Sequence, residues 1–272
     1  MKKTFLFIIT ALALGTVSSC TQKEKKSNEE TQTSTLEIDD FNASINGKKM
    51  SEIDTRIDPS HSAHSLVWER QIDGQPVELT EVIAYGDADG NLLKIEEKFL
   101  GAPYQPQGTR NYYLENDILI GVTEELDMWL DSLTSNWVEK RTIYDETGPQ
   151  KTQMRSAYSY DEIEYEEWED APIEDYKLDK VNRILSGIEE FEPHFISVVK
   201  GESLFLILGE NKKEVDNRYT TALRVDEMTP FIEDLLNNLE KYKFRPVNVR
   251  FATVGGNNQP EFNVLTDISW KE

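Results

Sequence analysis

The chain contains little cysteine and little histidine, and both shortages limit the chemistry it can perform. Among its 272 residues there is one cysteine, Cys20, and there are three histidines, His61, His64 and His194. A single cysteine cannot form an internal disulfide bond. His61 and His64 are three positions apart, but no third ligand lies close to them in the sequence. The sequence therefore predicts no metal site.

Recognised catalytic motifs are missing from the chain as well. It contains no G-x-S-x-G nucleophile elbow, no phosphate-binding P-loop and no H-E-x-x-H zinc motif. No residue can be assigned as catalytic on these grounds. The sequence favours a non-enzymatic role.

Basic residues are scarce relative to acidic ones. The chain has 29 lysine and arginine residues against 51 aspartate and glutamate residues, which gives a formal net charge of −22. Removal of residues 1–19, which hold Lys2 and Lys3, takes the net charge to −24. A chain this acidic repels the phosphates of nucleic acids and anionic lipid headgroups. It favours a cationic partner.

Long apolar runs are missing too. The stretch over residues 5–14 follows Lys2 and Lys3 and is interrupted only by Thr10. A membrane-spanning helix needs about 20 apolar residues, so this run is too short to be a permanent anchor. A charged start, a short apolar core and small residues before a break are typical of a secretory signal peptide. We therefore interpret residues 1–19 as a signal peptide.

The end of this peptide carries a specific pattern. Val17, Ser18, Ser19 and Cys20 resemble the lipobox of bacterial lipoproteins, in which an aliphatic residue and two small residues precede a cysteine. The resemblance implies that diacylglycerol is attached to the sulfur of Cys20, that the chain is cut before Cys20, and that the new amino group is acylated. Two or more acyl chains give durable anchoring where one does not. The alternative is an ordinary signal peptide followed by an accidental cysteine.

The residues after Cys20 predict a tether. Residues 21–35 contain no apolar side chain, and such a segment cannot bury enough surface to become ordered. We therefore expect a lipidated, disordered segment over residues 20–36, with no cofactor other than the lipid on Cys20. In the proteobacterial lipoproteins that this pattern resembles, an aspartate directly after the cysteine retains the protein at the inner membrane. This chain has Thr21 at that position, so the expected location is the cell envelope at the outer membrane. The mixed charges of the tether resemble those of surface-exported lipoproteins of the Bacteroidota.

Residues 37–160 predict an antiparallel β region. Apolar side chains alternate on both sides of Asp89-Gly90, which is a strong hairpin signal. Two later strand-turn-strand patterns turn near residues 115–117 and 145–149. Aligned on Tyr85, Tyr113 and Tyr144, the three units are spaced 28 and 31 residues apart. Such a repeat predicts a meander of hairpins.

Residues 161–272 predict an acidic segment followed by an α+β region, in a domain of its own or continuous with the preceding one. One helix is expected to begin at Pro172, and a second to begin at Pro230 behind the cap Thr229 and to run to Tyr242. Strands are expected over residues 195–199, 204–208, 219–225, 247–254 and 262–268. The predicted fold class is therefore α+β and β-rich, with two main helices.

The acidic segment offers a candidate partner-binding surface. Residues 160–175 hold nine acidic residues and no basic one. Aromatic residues alternate with the charges, and the mixture suits a cationic protein or a glycan through stacking and cation–π contacts. The candidate residues are Tyr160, Glu164, Tyr165, Glu167 and Trp168. The alternative is one more strand over residues 158–168 with its aromatic side chains buried.

These observations favour a lipid-anchored binding or assembly module of the cell envelope. One alternative is an anchored hydrolase that cleaves glycans with a pair of carboxylates. Another is an immunity-type lipoprotein that binds a basic toxin, since high negative charge speeds association with a cationic protein.

Overall fold

The computed structural model describes residues 40–272 except 73–74, 102–105, 130–133, 215–216 and 257–258. The predicted signal peptide, the lipobox with Cys20 and the tether lie outside the described residues. In the described part of the chain, no helix is long and apolar enough to cross a membrane.

Strands dominate the described residues. They are β1 Ser62–His64, β2 Trp68–Ile72, β3 Gln75–Gly86, β4 Leu92–Leu100, β5 Gln107–Glu115, β6 Ile118–Trp129, β7 Ser135–Asp145, β8 Gly148–Ala157, β9 Glu169–Ala171, β10 His194–Lys200, β11 Leu204–Gly209, β12 Tyr219–Val225, β13 Val247–Gly256 and β14 Gln259–Trp270. The α-helices are α1 Asp40–Ala43, α2 Ile45–Arg56, α3 Asp179–Ser186, α4 Pro230–Asn237 and α5 Leu239–Tyr242. The β-rich α+β fold class is therefore confirmed.

The meander of hairpins is confirmed. β3 and β4, β5 and β6, and β7 and β8 pair as antiparallel hairpins, and β4–β5 and β6–β7 pairing joins the three hairpins. Gly90 adopts φ +84° in the first turn, and Asn116 and Asp117 adopt φ +52° and +63° in the second. Glycine and asparagine tolerate this left-handed conformation best, which is why these turns are readable in the sequence.

The carboxy-terminal strands extend the same sheet. Its order runs β10-β11-β12-β2-β3-β4-β5-β6-β7-β8-β9, so β12 joins the meander through β2. β13 and β14 form a further hairpin, and β14 contacts β12 in parallel orientation. The five strands predicted in the last part of the chain lie within β10 to β14.

The amino-terminal helices differ from the expectation of a β region. Ser44 caps α2 by accepting a hydrogen bond from the Gly47 amide at 3.0 Å. Met50, Ile53 and Ile57 then follow helical spacing, and the first two are buried. α2 has few apolar residues, so its helical periodicity is weak in the sequence. The stronger alternating pattern that follows it led to the expectation of a β region.

The predicted start of a helix at Pro172 is wrong, because this helix, α3, begins only at Asp179. Glu169–Ala171 pairs with β8 instead. The Tyr176 amide donates to the hydroxyl of Tyr144, which fixes the chain in a non-helical path. The second predicted helix begins as expected, since Thr229 accepts from the Ile232 amide at 3.3 Å, but it is interrupted at Asn238.

The strands of the meander have two faces with different cores. One core cluster contains Val82, Ile95 and Tyr112 from the meander together with residues of α3, α4 and β10 to β14. The smaller cluster lies under α2 and includes Leu93 and Tyr113. We call the face of Val82, Ile95 and Tyr112 the network face and the opposite face the acidic face.

Candidate binding site

The predicted partner-binding residues follow β8 in turns and a short 3-10 helix, Ile163–Tyr165. The alternative expectation of a strand over residues 158–168 is therefore wrong. Ile163 is the buried side chain of this segment, whereas Glu164, Tyr165 and Glu167 are exposed. Tyr165 keeps 78% of its surface in solvent.

On the acidic face, Trp168 packs against β7 and β8, and Tyr160 packs against β7. The guanidinium carbons of Arg141 and Arg155 lie 3.9 and 4.7 Å from the centre of the Trp168 ring. Tyr160 meets Trp137 edge-on, with ring centres 5.2 Å apart. The predicted segment thus borders the acidic face, and its role as a partner-binding surface stays a prediction.

Two glutamates lie directly opposite each other on this face. Thr109 of β5 lies opposite Glu125 of β6, which in turn lies opposite Glu139 of β7. Like charges placed directly opposite each other across strands are destabilising. Partial burial, followed by the charges of Glu139 and Glu96, raises the pKa of Glu125, although Lys94 acts in the other direction.

Two acidic neighbours of Glu125 form ion pairs, whereas Glu125 forms none among the residues that the structure describes. Glu139 lies 2.6 Å from Arg155, and Glu96 lies 3.3 Å from Lys98. Within the described residues, the carboxylate of Glu125 forms no ion pair and no hydrogen bond. The same negative field acts on Tyr85, whose pKa burial and the charges of Glu96 and Glu81 raise to about 12.

Asn111 lies on the same face near Glu125 and has a polar atom whose hydrogen-bonding capacity is not satisfied. It lies opposite both Glu96 and Thr123 and is only 8% exposed. Its Nδ2 donates to Thr123 Oγ1 at 3.3 Å, but its buried Oδ1 has no donor. A buried acceptor without a donor costs about 1–3 kcal/mol, so this position favours an incoming N–H group.

Two hollows open on the acidic face. One, of about 270 Å³, lies between α2 and the strands and is lined in part by Met50, Asp54, Glu125 and Trp168. The other, of about 430 Å³, lies over the other end of β3 to β7. Its apolar lining includes Val67, Leu79, Phe99, Leu100 and Trp137, and its charged lining is Glu81, Lys98 and Asp127.

On the network face, in contrast to Glu125, the carboxylates lie beside cations. Arg110 donates to Glu124 at 2.6 Å and to Glu97 at 3.0 Å. Burial alone would lower the pKa of Arg110, but the charge of Glu124 and the side chains of Tyr112 and Glu97 raise it above its usual value. Lys180 also lies 3.3 Å from Glu97. Every carboxylate named here has a cation beside it.

The segment before α3 closes this network. Tyr176 donates to Glu124 at 2.8 Å, and Lys140 bridges Glu124 and Glu174. Glu97 and Glu124 flank Arg110, so they are engaged in ion pairs. A glycoside hydrolase needs one carboxyl group that stays protonated as the acid, which this arrangement does not favour.

Comparison with known protein families, with curated proteins and with solved structures finds no match to this chain. The functional interpretation therefore depends on the residues and their geometry.

The site residues Glu125, Asn111 and Asp127 carry no sequence signature. They alternate with residues of the network face, as side chains do along any strand. Their importance comes from the strand register, which places Glu125 beside Glu139 and Asn111 beside Glu96.

Proposed function

We propose that this protein is a lipid-anchored lipoprotein of the cell envelope that binds a cationic protein partner through its acidic face. The observation that carries the binding role is the unpaired carboxylate of Glu125 beside Glu139 and Glu96. The resemblance of Val17, Ser18, Ser19 and Cys20 to a lipobox supports the anchor.

A lysine or arginine side chain brought to Glu125 would offset its repulsion with Glu139 and Glu96, so binding would relieve a cost that the free protein carries. An N–H group of the same partner could satisfy Oδ1 of Asn111. The overall negative charge would add long-range attraction that weakens with salt.

Binding of a short lysine oligomer tests the acidic face. Glu125→Lys should weaken binding about tenfold, because it replaces an attractive charge by a repulsive one at the contact. Isothermal titration at low and at physiological ionic strength measures the effect.

Glu202→Lys is the matched control, since it changes the net charge by the same amount at an exposed position between β10 and β11. It should weaken binding by no more than about twofold. Equal losses in the two variants would mean that only net charge attracts the peptide, and the acidic face would lose its assigned role.

The anchor has its own test. Cys20→Ser should leave a protein that no longer partitions firmly with membranes, because the sulfur that carries the lipid is gone. Thr21→Ser, which leaves Cys20 in place, serves as the control. Unchanged membrane fractionation and gel mobility of the Cys20→Ser variant would contradict the anchor without bearing on the acidic face.

The immunity-type alternative is the case in which the cationic partner is a basic toxin. It predicts the same dependence on Glu125 and a steep loss of association rate with salt.

A further inference from the structure

The larger hollow on the acidic face has the volume of a small-molecule site. Its volume of about 430 Å³ lies within the range of about 300–1,000 Å³ typical of ligand pockets. Leu79, Leu100, Val67 and Trp137 line it with apolar surface. Such pockets combine apolar walls with few polar groups, and those polar groups determine which ligand is held.

Asp127 is the polar group that this pocket leaves unsatisfied. Its Oδ2 accepts a hydrogen bond from Gln107 Nε2 at 2.9 Å. Its Oδ1 is buried and has no hydrogen-bond partner. A buried carboxylate oxygen without a donor is costly, and a charged N–H donor would recover more of that cost than a neutral one.

The other charges of the pocket do not neutralise Asp127. Lys98 lies 3.3 Å from Glu96, and Glu81 lies 3.6 Å from a ring nitrogen of His64. Within the described residues Asp127 forms no ion pair. With Glu81 and Asp127 against Lys98, the pocket favours a positively charged ligand.

Trp137 gives a cation a second favourable contact. It lies directly opposite Asp127 across β6 and β7, where side chains are about 5 Å apart at Cβ. Tyr160 meets the ring of Trp137 edge-on and so supports its position. An ammonium group near Asp127 would lie within reach of the indole face, which attracts cations.

We propose that this pocket binds a small amine with an apolar body, whose ammonium group donates to Oδ1 of Asp127 and whose body lies against Leu79, Leu100 and Trp137. The site goes beyond the docking of a cationic protein at Glu125. It takes a different ligand and depends on different residues.

Three probes with the same apolar body test the proposal: phenylbutylamine, phenylbutanol and phenylbutyrate. They are titrated calorimetrically into the full chain carrying Cys20→Ser, a substitution outside the described residues. The amine should bind about tenfold more tightly than the alcohol, and the carboxylate should bind most weakly.

Asp127→Asn should abolish the preference for the amine, because the remaining amide lacks the charge. Trp137→Leu should weaken the amine more than the alcohol. Asp267→Asn, at an exposed position on β14, is the matched control and should change neither affinity.

Equal binding of amine and alcohol by the unsubstituted pocket would overturn the proposal, and this comparison needs no folded variant at Asp127. Absence of binding by all three probes would overturn it as well. A preference for the amine that survives Asp127→Asn would assign the cation to another group and likewise contradict it. None of these results depends on Glu125, so they are separable from the test with the lysine oligomer.

Discussion

Glu124 and Glu125 are neighbours in sequence, yet they lie in opposite electrostatic environments. Glu124 is 2% exposed and accepts from Arg110 and Tyr176 on the network face. Glu125 reaches solvent on the acidic face and lies opposite another glutamate. Because strand side chains alternate, two glutamates that are neighbours in sequence lie on opposite faces of one sheet. The carboxylate of Glu124 is held in ion pairs, whereas that of Glu125 forms none among the described residues.

The two faces also differ in how the loss of a charged side chain affects stability. Removing Arg110 from the network face takes a counter-charge away from two buried carboxylates. Removing the charge of Glu125 from the acidic face relieves repulsion. The two substitutions should therefore change stability in opposite directions.

The largest effect is expected on the network face. Arg110→Met leaves Glu97 and Glu124 without the guanidinium that joins them and should lower the free energy of unfolding by about 3–5 kcal/mol. Equilibrium urea unfolding at neutral pH measures the loss.

Arg56→Met is the control for this prediction. Arg56 is largely exposed and lies 3.5 Å from Asp87, a surface ion pair worth less than about 1 kcal/mol. A loss for Arg110→Met no larger than that of the control would show that the network contributes nothing beyond surface ion pairs.

An intermediate effect is expected at the border of the acidic face. Trp168→Leu removes the ring that Arg141 and Arg155 contact and should cost about 1–2 kcal/mol. Thermal and urea unfolding measure it. Tyr165→Leu, three positions earlier and 78% exposed, should change stability by less than about 0.5 kcal/mol. Equal changes would mean that Trp168 does not hold the arginines in place.

The features that the sequence predicts correctly are those whose conformation depends on residues close together in the chain. The turn at Asp89-Gly90 and the cap at Thr229 depend on neighbouring residues alone, and both are where the sequence places them. The start of α3 was missed because it depends on Tyr144, 32 positions from Tyr176.

The site was harder to predict than the fold, because it too depends on contacts between residues far apart in the sequence. Alternation predicts that Glu124 and Glu125 point to opposite faces. It does not predict which of them meets Arg110, because that depends on the register between β5 and β6. A shift of one residue would exchange their environments.

The smallest effect is expected for Glu125→Gln. It distinguishes the two faces most clearly, because it should raise the free energy of unfolding, whereas Arg110→Met should lower it. Glu125→Gln should raise the free energy of unfolding at neutral pH by about 0.2–1 kcal/mol, the range for like charges paired across strands. The pKa of Glu125 is raised in the folded protein, so folding is disfavoured once this group ionises. The cost is absent at a pH below the unfolded-state pKa of about 4.3, develops as pH rises from there to the folded-state pKa, and is fully present above it.

The difference between Glu125→Gln and the unsubstituted protein should therefore shrink as pH falls from 7.5 toward 4.5. Urea unfolding at several pH values in this interval measures it, with Glu202→Gln as an exposed control that should show no trend. Glu139, Glu96 and Lys94 face Glu125 and remain unchanged in both variants, so the trend reports on Glu125 itself. A variant less stable than the unsubstituted protein at neutral pH would mean that Glu125 is compensated after all, and the two faces would no longer differ in kind.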